Sequence, residues 1–137
     1  MITKNANKTM KVLLVEDYAS LAIMLKELAT IYAPSCRIEW VDRGEEAVKM
    51  IENGTTYDAI IMNYSIPAMD GVEATKAIRK LGYKGLIIGW SGFLKHQREE
   101  ECLKAGMNFY VEKSGNLVPT IEMLKSLEKR ALTAGSE

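Results

Sequence analysis

Five short apolar runs punctuate the chain: Val12-Leu-Leu-Val15, Arg37-Ile-Glu-Trp-Val41, Ala59-Ile-Ile-Met62, Leu86-Ile-Ile-Gly-Trp90 and Asn108-Phe-Tyr-Val111. Each has the length and β-branched content of a strand. Between and after them, apolar residues recur at three- and four-residue steps: Leu21, Leu25 and Leu28, then Val48 and Ile51, then Ala74, Ala77, Ile78 and Leu81, and finally Ile121, Leu124 and Leu127 within 117–131. That spacing puts them on one face of a helix. The third helix has a start signal, because Asp70 can cap it and Glu73 stands three residues on to return the bond. The fourth, Leu94 to Ala105, is polar through its middle and leaves Leu94, Cys102, Leu103 and Ala105 for packing. It reads as a weakly anchored, largely solvated helix. Strict alternation of strand and helix predicts an α/β domain: a doubly wound, five-stranded parallel sheet with right-handed crossovers and helices on both faces. The first, third and fourth runs lack polar alternation, as strands buried on both sides should.

Composition narrows the class. A chain of 137 residues, 47% of them apolar, supports one domain, here placed at 10–132 with flexible ends at 1–9 and 133–137. Eighteen basic and eighteen acidic residues cancel, so no electrostatic footprint for nucleic acid is present and partners are expected to be proteins. No apolar stretch approaches the roughly 20 residues of a membrane helix. The start, Met1 to Lys8, lacks a signal-peptide core. The expectation is a cytoplasmic protein with no membrane contact. Cys36 and Cys102 stand apart, without metal-ligand spacing, and read as small hydrophobes.

The chemistry gathers where the strands end. Glu16-Asp17 closes the first run, Asn63 the third, Ser91 the fourth and Lys113 the fifth, with Pro67 and the turn Met69-Asp70-Gly71 following Asn63. In an open parallel sheet ligands bind beyond the carboxyl ends of the strands, near the point where the winding reverses. Each residue alone is ordinary; together they pair carboxylates, a hydroxyl and an amine around one place. Enzyme readings fail: Gly89-Trp-Ser91-Gly92 lacks the glycine of a nucleophile elbow at Phe93, and the single histidine, His96, has no evident acid partner. A nucleotide or flavin site would need a glycine-rich turn after the first strand, where this chain has two acids.

From Lys11 to the last helix, these residues resemble the receiver domain of two-component response regulators, a flavodoxin-like (βα)5 fold that acts as a signalling module and not as an enzyme. The resemblance implies that position 63 is the phosphoryl acceptor, that Ser91 and Lys113 contact the phosphoryl oxygens, and that Asp17, Glu16 through water, Asn63 and the backbone carbonyl of Ser65 hold a weakly bound Mg²⁺. It also implies a switch in which Ser91 moves inward and Tyr110 changes rotamer, although Tyr110 reads equally well as a half-buried strand aromatic. The implied donors are a histidine kinase or a histidine phosphotransfer protein, and the implied output is docking of a downstream protein on the face of the fourth helix, fifth strand and fifth helix. The segment Arg98 to Met107 is similar to receivers of hybrid kinases.

Departures accompany the likeness. The acceptor is normally aspartate; asparagine has nearly its shape, but a neutral amide oxygen is too weak a nucleophile to form an acyl phosphate. Asn63 therefore stands for a natural pseudo-receiver working without phosphate, for a substituted and silenced receiver, or for a chance side chain in another fold. With the acceptor blocked, the expected state is inactive-like, with Tyr110 outward and Ser91 away from position 63. Ser114 replaces the proline that often follows the lysine, so a trans bond is expected there. Trp90 is larger than the usual aliphatic residue and either shields the site or fills core.

Overall fold

The computed structural model describes residues 9–133. In chain order the elements are β1 (Met10–Val15), α1 (Ala19–Tyr32), β2 (Cys36–Val41), α2 (Gly44–Glu52), β3 (Ala59–Met62), α3 (Gly71–Lys80), β4 (Leu86–Ser91), α4 (Lys95–Ala105), β5 (Phe109–Glu112) and α5 (Val118–Thr133). All four strand pairings are parallel, in the order β2-β1-β3-β4-β5. The expected flexible ends lie almost wholly outside the described residues; Thr133 still belongs to α5.

Strand period assigns the two cores. Successive side chains of β1 point to opposite faces, so Leu13 and Val15 join Ile60, Met62 and Ile87 under α2, α3 and α4, while Val12 and Leu14 join Ile61, Ile88 and Trp90 under α1 and α5. β1 from Val12, all of β3 and β4 from Ile87 are buried, as the unbroken apolar runs predict, whereas the edge strands β2 and β5 each bury a single residue, Ile38 and Tyr110. Trp90 is fully buried and donates through Nε1 to Thr120 Oγ1 at 3.0 Å, so it fills core and ties β4 to α5.

Helix packing follows the predicted stripes with three corrections. Leu81 is 45% exposed because it is the C-cap of α3, past the last inward turn. Leu94 is 48% exposed because it is the N-cap of α4 and stays extended. Leu103 is 40% exposed because Cys102 and Ala105 already define the inward face, about 100° away around the helix. α4 is thus anchored by less apolar surface than its sequence offered.

Two devices fix the loop that leads from β3 into α3. Asp70 accepts from the Glu73 amide at 2.8 Å while Glu73 Oε1 accepts from the Asp70 amide at 3.1 Å, which is the predicted capping box. Gly71 then donates its N–H to Tyr64 O at 2.8 Å, and a Cβ on Gly71 would lie 2.2 Å from Asn63 O. Only glycine lets α3 start this close to the end of β3.

Candidate functional site

The sheet register lines up the strand ends. Asn63 N–H donates to Val15 O at 3.1 Å, Glu16 N–H to Val41 O at 3.1 Å, and Lys113 N–H to Ser91 O at 2.6 Å, so each chemical residue is placed by one more ladder bond beyond its strand. The winding reverses between β1 and β3, and that is where the groove opens. Its volume is about 360 Å³, and Glu16, Asp17, Asn63, Ser65, Ser91 and Lys113 all line it. Every predicted site residue except Tyr110 therefore meets in one groove.

Glu16 is fully buried and carries the electrostatic tension of the site. Its Oε1 accepts from Lys113 Nζ at 2.6 Å and its Oε2 from the Tyr18 amide at 3.0 Å. Burial pushes its pKa up, the Lys113 and Tyr18 hydrogen bonds pull it back, and the nearby Asp17 charge pushes it up again. Trp40 Nε1 also donates to Glu16 O at 2.7 Å. The Lys113 ammonium lies 4.6 Å from the centre of the Trp90 ring, so the tryptophan that fills the core also floors the amine.

Asn63 is 5% exposed, and its Nδ2 faces Asp17 Oδ1 at 3.1 Å, Ser65 O at 3.1 Å and Glu16 Oε2 at 3.5 Å. Two carboxylates and a backbone carbonyl converge on one amide nitrogen. Oxygen donors of this kind suit a small hard cation such as Mg²⁺, and the chemistry of the set fits one: Asp17 and the Ser65 carbonyl as ligands, with Glu16 behind them. Among the described residues no group of three or more His, Cys, Asp or Glu forms a metal cluster, so any such set draws on the Ser65 carbonyl as well as on side chains.

Ser91 is buried and its hydroxyl accepts from the Phe93 amide at 3.2 Å, inside its own loop. Tyr110 overturns the outward expectation. It is 6% exposed, and its hydroxyl donates to Phe93 O at 2.6 Å. A buried phenol needs an acceptor, and the Phe93 carbonyl supplies one without any phosphoryl group at position 63. Burial pushes the Tyr110 phenol up while a hydrogen bond with Ser91 pulls it down.

Sequence reading missed Phe93, Tyr64 and Arg98. The Phe93 ring packs edge-on to Tyr64 at 5.4 Å, and the Arg98 guanidinium from α4 stands 4.5 Å from Phe93 and 5.3 Å from Tyr64. Tyr64 also donates to Glu101 at 3.0 Å. The loop after Asn63 and the loop after Ser91 are thus joined through α4. The signal was an aromatic directly after position 63 and another two residues after Ser91, opposite a helix rich in charge. Cys36 and Cys102 lie outside the groove, and burial pushes both thiols up to about 11. The peptide after Lys113 is trans, with no cis bond among the described residues. None of the described helices is long and apolar enough to cross a membrane.

Known proteins resemble this chain in sequence and in fold. Residues 12–125 match the family described as response regulator receiver domain. Two-component response regulator 24 of Arabidopsis thaliana is 32% identical over 87 residues, covering 64% of this chain and 63% of that protein. The autoinducer 2 sensor kinase/phosphatase LuxQ of Vibrio vulnificus is 36% identical over 107 residues, covering 76% of this chain but 12% of that protein. The chain thus spans less than two thirds of either relative. Among solved structures, the Francisella response regulator 1452 receiver domain superposes with a TM-score of 0.76 at 26% identity, covering 89% of this chain and 98% of that one. The receiver domain of a Pseudomonas aeruginosa sensor histidine kinase, with a magnesium ion coordinated in its active site cleft, does so with a TM-score of 0.74 at 28% identity, covering 88% and 98%. The flavodoxin-like sheet, the strand-end groove and a family match across most of the described residues agree: this chain belongs to the response regulator receiver domains.

Proposed function

We propose that the chain is a phosphorelay receiver whose acceptor position is occupied by a residue that cannot be phosphorylated, so that it rests in one arrangement whatever its kinase does. The observation that carries this is Asn63, seated among Glu16, Asp17 and Ser65 with Lys113 across the groove. The donor would be a histidine kinase or a histidine phosphotransfer protein, acting in the cytoplasm where phosphoryl groups drawn from ATP are available. A divalent cation such as Mg²⁺, when bound by Asp17 and the Ser65 carbonyl, would supply positive charge against the phosphoryl oxygens. Lys113 would meet a phosphoryl oxygen with its ammonium and Ser91 would donate its hydroxyl. The downstream partner would dock on α4, β5 and α5, where Phe109 and Val118 are 50% and 58% exposed.

The test is Asn63→Asp. With magnesium chloride and a small acyl phosphate, the new carboxylate at position 63 attacks phosphorus and the donor's carboxylate leaves with the bond electrons. Intact mass should show one phosphoryl group on the variant, labile to hydroxylamine, and none on the parent. Phosphorylation of both would place the acceptor elsewhere. Phosphorylation of neither would favour the second reading, a pseudo-receiver that binds partners without phosphate; Tyr110, already inward with an acceptor in its own loop, is the observation behind it.

A further inference from the structure

We propose that the Asn63 carboxamide nitrogen takes the place of a divalent cation among the cation's own oxygen ligands, so that the domain holds its acidic groove assembled without metal and admits one only when that side chain turns away. The inference rests on reading Asp17, Glu16 and Ser65 as a cation site.

The geometry is specific. An amide nitrogen is a donor with two protons and no lone pair to offer a metal. Here its acceptors are Asp17 Oδ1 and Ser65 O, each at 3.1 Å, with Glu16 Oε2 at 3.5 Å sharing what remains. The nitrogen occupies the space on which these oxygens converge. With aspartate at position 63, two more oxygens would face the same place, and a bound cation or an added proton would have to relieve the repulsion. With asparagine, the partial positive charge of the NH₂ group relieves it already. Turning the amide over would bring its oxygen against the Asp17 carboxylate and the Ser65 carbonyl and would forfeit both hydrogen bonds. Asn63 is therefore a competitor of the metal and not a weak ligand for it. Lys113 performs the same service on the other side, holding Glu16 Oε1 at 2.6 Å, so both faces of the acidic pair are neutralised from within the chain.

The two roles predict opposite effects of removing the side chain. Magnesium chloride titrations, read by calorimetry and by the shift in unfolding midpoint, are compared for the parent, Asn63→Asp and Asn63→Ala. If Asn63 stands in for the cation, Asn63→Asp binds at least tenfold more tightly than the parent. Asn63→Ala also binds more tightly than the parent, despite having one side-chain oxygen fewer. Weaker binding by Asn63→Ala than by the parent would make the amide an ordinary ligand and overturn the proposal. Absence of binding by Asn63→Asp would overturn the cation site and the proposal with it. A measurement on the parent keeps the test independent of how the variants fold. The Asn63 side-chain amide protons, followed by ¹⁵N NMR without metal, should exchange with solvent at least tenfold more slowly than those of a free amide, and exchange at the free rate would also overturn the proposal.

Discussion

The shortest contact on the buried Glu16 carboxyl is the 2.6 Å pair with Lys113, with the Tyr18 amide at 3.0 Å on its other oxygen. The two side chains are 1% and 12% exposed, so neither end is relieved by solvent. Removing one partner of such a pair costs about 3 kcal/mol, because the other charge is left buried without compensation. Lys113→Met should therefore destabilise the domain by about that much in chemical denaturation. The acid dependence gives the test its sign. Burial raises the Glu16 pKa above its unfolded value of 4.5, and Lys113 opposes that rise, so Lys113→Met raises it further. A carboxyl whose folded pKa is raised holds its proton more tightly in the folded state, so its contribution to stability grows as pH falls through the folded value and is lost as pH rises through it. The deficit of Lys113→Met against the parent should shrink on acidification from pH 7 toward the unfolded value; a deficit that grows would mean the lysine acts on some other group. At this scale the sequence was informative about identity and not about contact. The family likeness assigned Lys113 to a phosphoryl oxygen, and only the folded geometry shows it spent on Glu16.

Elements were legible wherever period and caps agreed. The capping box of α3 was visible as Asp70 followed three residues later by Glu73, and both of its hydrogen bonds are present. Loss of such a cap costs about 1 kcal/mol. Because Gly71 abuts Asn63 O through its own backbone, Asp70→Ala should also loosen the end of β3. The expected outcome is a drop in stability of about 1 kcal/mol with faster amide exchange at Gly71 and Tyr64; an unchanged Gly71 amide would separate the cap from the site. What stayed hidden was orientation at the helix ends. Leu81, Leu94 and Leu103 counted as apolar in the periodic pattern, yet two of them are caps and the third lies off the inward face. Tyr110 was illegible for a related reason: its rotamer depends on the Phe93 carbonyl, which a different loop delivers.

At the scale of the whole molecule the two faces of the sheet are unequally secured. The α1 and α5 face buries Leu25, Trp90, Leu124 and Leu127 completely. On the other face, α4 contributes only Cys102 and Ala105 to the core and is otherwise tied down by Arg98 against Phe93 and Tyr64, by the Tyr64 bond to Glu101 and by Lys95 N–H on Glu112 at 2.7 Å. Local opening draws on the regions with the least buried apolar contact. Amide exchange should therefore be slowest in β1, β3 and β4, and among the helices fastest in α4. Apart from Glu112 of β5, the polar and aromatic ties to α4 come from the loops after Asn63 and Ser91, which makes the helix responsive to the groove. Arg98→Ala should speed exchange across α4 and the Ser91 loop by several-fold and leave α1 and α5 unchanged. If α1 or α5 responded as strongly, the loosening would be global and the tie through Phe93 and Tyr64 would not be what holds α4 in place. A response confined to α4 and its two loops would mark the route by which the groove, whatever occupies position 63, reaches the exposed surface around Phe109.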